Sequence, residues 1–318
     1  MPNKLLITRR LPDSVLKDAQ AEFDVTLSDN PTPFSIAQAR AALADYDLIL
    51  PTLGDAFGAA AFDGAPHRCR LLANFGVGYN HIDVTAAKAA GIAVSNTPGA
   101  VTDATADIAL TLMLMSCRRA AEGERLVRAG QWTGWQPTQM LGLHMSGKVL
   151  GVVGMGRIGK AIARRAHFGF GMKVVFHSRT AGTDAGLPAE QLDSLLAVMA
   201  ASDVVVTAVP ASAATHHLIG PAELDAMQPH AHLVNIARGD VIDEAALIAA
   251  LQARKIAGAG LDVYEFEPKV PQALIDLDTV VLLPHLGTAA LEVREDMGQM
   301  ALDNLRAFKA GQPLPNPV

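Results

Sequence analysis

The sequence predicts an α/β protein built from two doubly wound parallel-sheet domains flanking a cleft. Three observations carry that prediction. Short β-rich runs alternate with alanine-rich helical stretches along almost the whole chain. The alternation halts once, at Asn96-Thr97-Pro98-Gly99, and restarts further on without a low-complexity linker. A glycine-rich turn, Gly154-Met155-Gly156-Arg157-Ile158-Gly159, then stands between a strand and a helix of the second series. Alternation of this kind calls for parallel strands joined by crossover helices on both faces of a sheet.

In the first series Leu5–Thr8, Phe23–Leu27, Leu48–Pro51, Leu71–Phe75 and Ile92–Ser95 read as strands, with helices over Pro12–Ala21 and Ser35–Ala44. A long helix is expected from Asp103 to Ala129, with Thr102 as its N-cap. Gly130–Ser146 reads as a loop and carries both tryptophans, Trp132 and Trp135. In the second series Val149–Val153, Lys173–His177, Val204–Ala208, Leu233–Ile236, Ala259–Val263 and Val280–Leu283 read as strands. A helix over Lys160–Ala166 follows the glycine turn, and a last helix over Leu291–Lys309 precedes a Pro-rich tail.

Composition narrows the function. The 318 residues suffice for two domains, and half are hydrophobic while 18 % are charged, so large cores can form. A net charge of −6 argues against nucleic-acid or anionic-membrane partners, which need concentrated basic surface. Cys69 and Cys117 form no C-x-x-C pair and read as buried free thiols. The first residues lack a secretory pattern, and the apolar stretch Val101–Met115 contains Asp103 and Asp107, so it reads as a buried helix. A cytoplasmic location is expected.

The glycine turn has the chemistry of a dinucleotide site. Its first glycine permits a tight turn, the second lets backbone approach a pyrophosphate, and the third allows close helix–strand packing. The following strand ends at His177-Ser178-Arg179-Thr180, where a carboxylate would bind a ribose 2′-hydroxyl. None is present, and the Ser178 hydroxyl and Arg179 guanidinium suit a 2′-phosphate instead. NADP(H) is therefore expected over NAD(H), with NAD(H) use still possible.

Three polar residues stand at strand ends of the second series. They are Arg238 after Leu233–Ile236, Glu267 after Ala259–Val263, and His285 after Val280–Leu283. Reduction of a 2-oxo acid needs a cation for the carboxylate and a proton for the carbonyl oxygen. Arg supplies the first through a planar fork, and His the second near neutral pH. A neighbouring Glu would favour the charged imidazole. No H-E-x-x-H, P-loop or G-x-S-x-G sequence occurs, and the adjacent His216 and His217 do not suit one helical face as ligands, so no metal is expected.

These motifs, in order with Asn74–Asp83 and Asp103–Asp107, resemble the D-isomer-specific 2-hydroxyacid dehydrogenases, most closely the glyoxylate/hydroxypyruvate reductase branch. The resemblance implies that Arg238 binds and polarises substrate, that Glu267 pairs with the imidazole, and that His285 donates the proton. It implies backbone amides of Val77 and Gly78 for the substrate carboxylate and Leu53 in the pocket. Thr105 and Asp262 would lie beside the nicotinamide half. Gly154, Met155, Gly156, Arg157, Ile158, Gly159, His177, Ser178 and Arg179 would hold the phosphates and adenosine ribose, and Val209, Pro210, Ile236, Ala237 and Gly287 would line the groove. It also implies a Rossmann-like cofactor domain over 99–286 and a discontinuous substrate domain over 1–98 and 287–318. A homodimer through the cofactor domain is expected, with Trp135 reaching the partner's substrate pocket. The competing reading is a dinucleotide-sensing regulatory protein of the corepressor type on the same fold.

Overall fold

The computed structural model describes residues 3–64 and 66–318. The chain forms two compact units. One runs to Val101 and resumes at Ala289–Val318; the other spans Thr102–Thr288.

The first unit contains β1 (Lys4–Ile7), α1 (Asp13–Glu22), β2 (Asp24–Leu27), α2 (Ile36–Asp45), β3 (Leu48–Leu50), β4 (Leu71–Ala73), α3 (Val84–Ala89) and β5 (Ala93–Ser95), and the carboxy-terminal helix Leu291–Lys309. These strands pair in parallel, in the order β2-β1-β3-β4-β5. Period-two alternation sends Leu5, Ile7, Leu48 and Leu50 to one face, against Val15 and Leu16 of α1 and Leu302 and Leu305 of the terminal helix. Leu6, Ile49 and Leu72 go to the other, against Ala39 and Leu43 of α2. Burial on both faces explains why these strands are apolar without interruption. α2 starts at a capping box in which Ser35 accepts from the Gln38 amide and Gln38 reaches back.

The second unit contains α4 (Thr102–Cys117), α5 (Ala120–Arg128), β6 (Val149–Val153), α6 (Arg157–Phe170), β7 (Lys173–His177), β8 (Glu190–Gln191), α7 (Leu195–Ala201), β9 (Val204–Thr207), α8 (Pro221–Ala226), β10 (His232–Asn235), α9 (Glu244–Gln252), β11 (Gly258–Leu261), α10 (Gln272–Ile275) and β12 (Val280–Leu282). Its seven strands are parallel in the order β12-β11-β10-β9-β6-β7-β8. Val152, Val174, Val206 and Val234 pack against α4 and α6, while Val153, Val205, Leu233 and Leu261 pack against α7, α8 and α9. The order reverses between β6 and β9, and a crevice at such a reversal is where doubly wound sheets take ligands.

The structure corrects the helix expected over Asp103–Ala129. It breaks into α4 and α5 at Arg119, whose φ of 53° is left-handed. The 130–146 loop folds back onto this point, and the Leu143 amide takes the Cys117 carbonyl at 2.7 Å. Thr102 is the first residue of α4 rather than its cap. α6 is also longer than expected, starting directly at Arg157. Both cysteines are unpaired and buried, and burial pushes each thiol up to about 12. Among the described residues no helix is long and apolar enough to cross a membrane.

Candidate active site

The carboxyl edge of the second sheet collects most of the residues singled out in the sequence. β6 ends in the glycine turn, β7 in His177–Arg179, β9 in Val209–Pro210, β10 in Ile236–Arg238, β11 in Asp262–Glu267 and β12 in His285–Gly287.

The turn after β6 leaves room for a pyrophosphate. Gly154 has φ 100°, and a Cβ there would meet Val209 Cγ1 at 2.7 Å and the Ala208 carbonyl at 2.8 Å. At Gly156, the N-cap of α6, an added Cβ would meet nothing within 4 Å. No side chain caps α6, so the first-turn amides of a 14-residue helix face that space. These features fit the phosphates of a dinucleotide. Met155 differs from the other residues of the turn. Its side chain is buried in the core, and its amide donates to Ser178 Oγ at 3.0 Å, tying β7 to the turn. The His177 ring lies 3.3 Å from the Leu192 carbonyl, and Arg179 is exposed.

Arg238 stands at the start of the segment that follows β10. Asn235 shapes the turn before it: its Oδ1 accepts from Thr207 Oγ1 at 2.7 Å and the Ala237 amide at 3.0 Å, while its Nδ2 donates to the Arg238 carbonyl at 2.9 Å. Gly239 then lies directly on the next loop, since a Cβ there would fall 1.8 Å from the Tyr264 carbonyl carbon. That contact lays the Arg238 turn on the segment leading to Glu267. Burial pulls the guanidinium below its usual range, opposed by the charges of Glu267 and Asp240.

His285 Nδ1 lies 2.9 Å from Glu267 Oε2, with the two side chains 29 % and 32 % accessible. Glu267 Oε1 accepts from the Tyr264 amide at 3.1 Å. Burial pushes the Glu267 carboxyl up, but the His285 hydrogen bond and charge, the Tyr264 amide and the Arg238 charge outweigh it, so the group sits below the usual carboxylate range. With Nδ1 committed to Glu267, Nε2 is the imidazole atom left for proton transfer. His285 itself has a left-handed φ of 55°, a sparsely populated conformation for a non-glycine residue. Asp262 holds it there: its carbonyl accepts the His285 amide at 2.9 Å, and its buried carboxylate accepts the Leu286 amide at 2.6 Å and the Gly287 amide at 2.8 Å. Burial raises the Asp262 carboxyl despite those two amides. Thr105 Oγ1 donates to the Gly287 carbonyl at 3.2 Å, fixing the same turn to α4. Ile236 and Ala237 are buried, Val209 is half-buried and Pro210 exposed.

In the first unit, Leu53 occupies a turn organised by the fully buried Asp55. That carboxylate accepts from Thr8 Oγ1 at 2.6 Å, the Thr52 amide at 2.8 Å and the Phe34 amide at 2.9 Å, and pairs with Arg9 at 3.3 Å. Arg9 also donates to the Leu53 carbonyl. Val77 and Gly78 lie half-buried in the loop after β4. Trp135, at 80 % accessible, stands out from the 130–146 loop of the second unit. His216 and His217, set aside as ligands on sequence grounds, stack at 4.0 Å, and His217 Nε2 lies 3.0 Å from Glu265.

Sequence reading missed Asn235, Gly239 and Asp55: Asn235 shapes a turn through peptide groups two and three residues on, whose directions sequence does not display, while Gly239 and Asp55 act on segments distant in the chain. The one available signal was their placement beside motif residues at strand ends.

Comparison with known proteins agrees with this geometry. Residues 110–287 match the family described as D-isomer specific 2-hydroxyacid dehydrogenase, NAD binding domain. The chain is 41 % identical over 326 residues to a glyoxylate reductase of Thermococcus onnurineus, covering 100 % of this chain and 96 % of that protein. It is 35 % identical over 311 residues to a glycerate dehydrogenase of Hyphomicrobium methylovorum, covering 97 % and 96 %. It superimposes with a TM-score of 0.89 and 35 % identity on an NADPH-dependent glyoxylate/hydroxypyruvate reductase from Sinorhizobium meliloti, solved in complex with NADP and malonate, covering 100 % of this chain and 97 % of that one.

Proposed function

The chain belongs to the D-isomer specific 2-hydroxyacid dehydrogenases, and on that premise we infer that it reduces glyoxylate and hydroxypyruvate to the D-2-hydroxy acid at the expense of NADPH. The observation that carries this reading is the His285–Glu267 hydrogen bond at 2.9 Å, on a sheet edge shared with Arg238 and an open phosphate turn. Bound reduced dinucleotide supplies the hydride for the carbonyl carbon. Arg238 holds and polarises the oxo acid through its planar fork. His285 gives its Nε2 proton to the carbonyl oxygen, and Glu267 stabilises the charged ring before transfer and orients it throughout. Leu53 and the amides of Val77 and Gly78 are assigned to the substrate. Gly154, Gly156, Arg157, Ile158 and Gly159 are assigned to the phosphates, and Thr105, Asp262 and Gly287 to the nicotinamide side.

NADPH preference rests on Ser178 and the exposed Arg179, with no carboxylate at the end of β7. The test is a rate matrix of glyoxylate, hydroxypyruvate and larger oxo acids against NADPH and NADH. Turnover fastest with NADPH and the two small acids is expected. Absence of turnover with every acid would sink the reductase in favour of a binding protein, and an Arg179→Ala variant with unchanged cofactor preference would sink the role given to Arg179.

The same reading includes a homodimer. α5 buries none of its own residues, and Val127, Trp132, Trp135 and Leu141 expose large apolar surface together along it and the following loop. A second copy of this chain is the assigned occupant, with Trp135 at the partner's substrate pocket. A monomer by light scattering at micromolar concentration overturns it.

A further inference from the structure

The loop after β4 carries a device that involves two asparagine side chains, Asn74 and Asn96. Three successive carbonyls, those of Gly76, Val77 and Gly78, are each tied down by an asparagine side chain. Asn74 Nδ2 donates to the Gly76 carbonyl at 3.0 Å and to the Gly78 carbonyl at 3.1 Å. Asn96 Nδ2 donates to the Val77 carbonyl at 2.9 Å. The Thr97 amide adds a second bond to the Gly76 carbonyl at 3.1 Å.

The consequence follows from the planarity of the peptide group. In a trans peptide the C=O and the next residue's N–H point in opposite directions. Fixing the Gly76 carbonyl fixes the Val77 N–H, and fixing the Val77 carbonyl fixes the Gly78 N–H. Among the described residues neither of these two amides has an acceptor. Both are turned away from the asparagines and held ready for an anion, as in a backbone nest.

Asn74 is 1 % accessible, and its Oδ1 is buried without a partner among the described residues. A buried orphan acceptor is costly, and turning the amide over would set Oδ1 against two carbonyls. The two donated bonds therefore decide the orientation of the side chain.

We propose that Asn74 and Asn96 are positioning residues that preset the Val77 and Gly78 amides to receive the substrate carboxylate. This deepens the reductase reading and rests on it. The side chains touch no reacting atom; they act by keeping two N–H groups aligned before substrate arrives.

The test uses the full-length protein with NADPH bound and oxamate as an inert oxo-acid probe. Asn74→Ala is expected to raise both the oxamate Kd and the KM for glyoxylate by about tenfold or more, a change of ~1.4 kcal/mol or more. Asn74→Asp, which places an acceptor against both carbonyls, is expected to do worse. NADPH affinity stays unchanged and kcat at saturation falls by less than about threefold, a split that loss of structure would not produce. Asn96→Ala, at a half-buried position, gives the same pattern at smaller size and serves if Asn74 variants do not fold. A native protein that reduces glyoxylate, with folded variants of unchanged KM and oxamate Kd, overturns the clamp and leaves the reductase standing. A native protein that neither binds oxamate nor turns over any small oxo acid overturns both.

Discussion

The two units are built alike and finish their sheets differently. Each has a parallel sheet whose strand order reverses once, between β1 and β3 in the first and between β6 and β9 in the second. In the second unit that reversal is left open. β6 is followed by the glycine turn, and among the described residues nothing lies within 4 Å of a Cβ added at Gly156. In the first unit it is filled by the protein itself, with Thr8 just after β1, Thr52 just after β3 and the buried Asp55 bonded to one another and to Arg9. The difference teaches that a doubly wound sheet offers a crevice by topology but becomes a ligand site only where side chains leave it empty. The first unit instead presents two amides one strand away, beyond β4.

The comparison can be broken most sharply at the open edge. His285→Ala should cut kcat/KM by ~10²–10⁴-fold, the usual contribution of a positioned acid. Glu267→Gln should fall in the same range, while NADPH binding, read by cofactor fluorescence, survives in both. Retained activity would remove the chemistry from this edge.

The filled reversal is tested by Asp55→Ala. It orphans two backbone amides and leaves Arg9 without its carboxylate, and should cost about 3 kcal/mol or more in urea unfolding. A near-neutral result would mean that the network is not what closes that crevice.

Acid should strike the second unit through His232, buried at the start of β10 with its Nδ1 2.7 Å from Ser116 Oγ. Burial depresses this imidazole from 6.5 to about 4. The unfolded chain therefore binds a proton that the folded unit refuses. Stability falls as pH drops from about 6.5 toward 4, by up to about 3 kcal/mol. His232→Asn should flatten that slope in denaturation curves taken across the same range.

The smallest structural effect belongs to Gly156→Ala. Its Cβ enters open space at an ordinary φ of −81°, so stability should change by no more than about 0.5 kcal/mol. NADPH affinity should nevertheless fall by about tenfold or more, because the methyl occupies the space facing the α6 amides. Unchanged NADPH binding would show that the open crevice is not the phosphate site.

Much of the second unit was legible in the chain because its signals are local. The glycine turn is contiguous in sequence, and Arg238, Glu267 and His285 each follow an apolar strand that reveals itself. Their meeting was legible only as far as parallel strands bring their ends to one edge. The break at Arg119 was not legible, since helix-forming residues run through it and the Leu143 amide that takes the Cys117 carbonyl there comes from beyond the next helix. The roles of Asp55, Asn74, Asn96 and Asn235 were not legible either. Each is a common polar residue whose partners include backbone carbonyls or amides, and sequence does not display the direction of a peptide group.

By itself, then, the sequence determined the parallel α/β architecture, the position of the glycine turn and the three polar side chains, Arg238, Glu267 and His285, that follow strands of the second sheet. Hydrophobic period and glycine placement act over a few residues and persist in any context. Tertiary structure decided which reversal stays open, which imidazole nitrogen of His285 is taken by Glu267 and which way the Val77 and Gly78 amides point. Those outcomes depend on the directions of peptide groups and side chains, set partly by bonds within one loop, as from Asn74, and partly by bonds between distant segments, as from Asn96 and between His285 and Glu267.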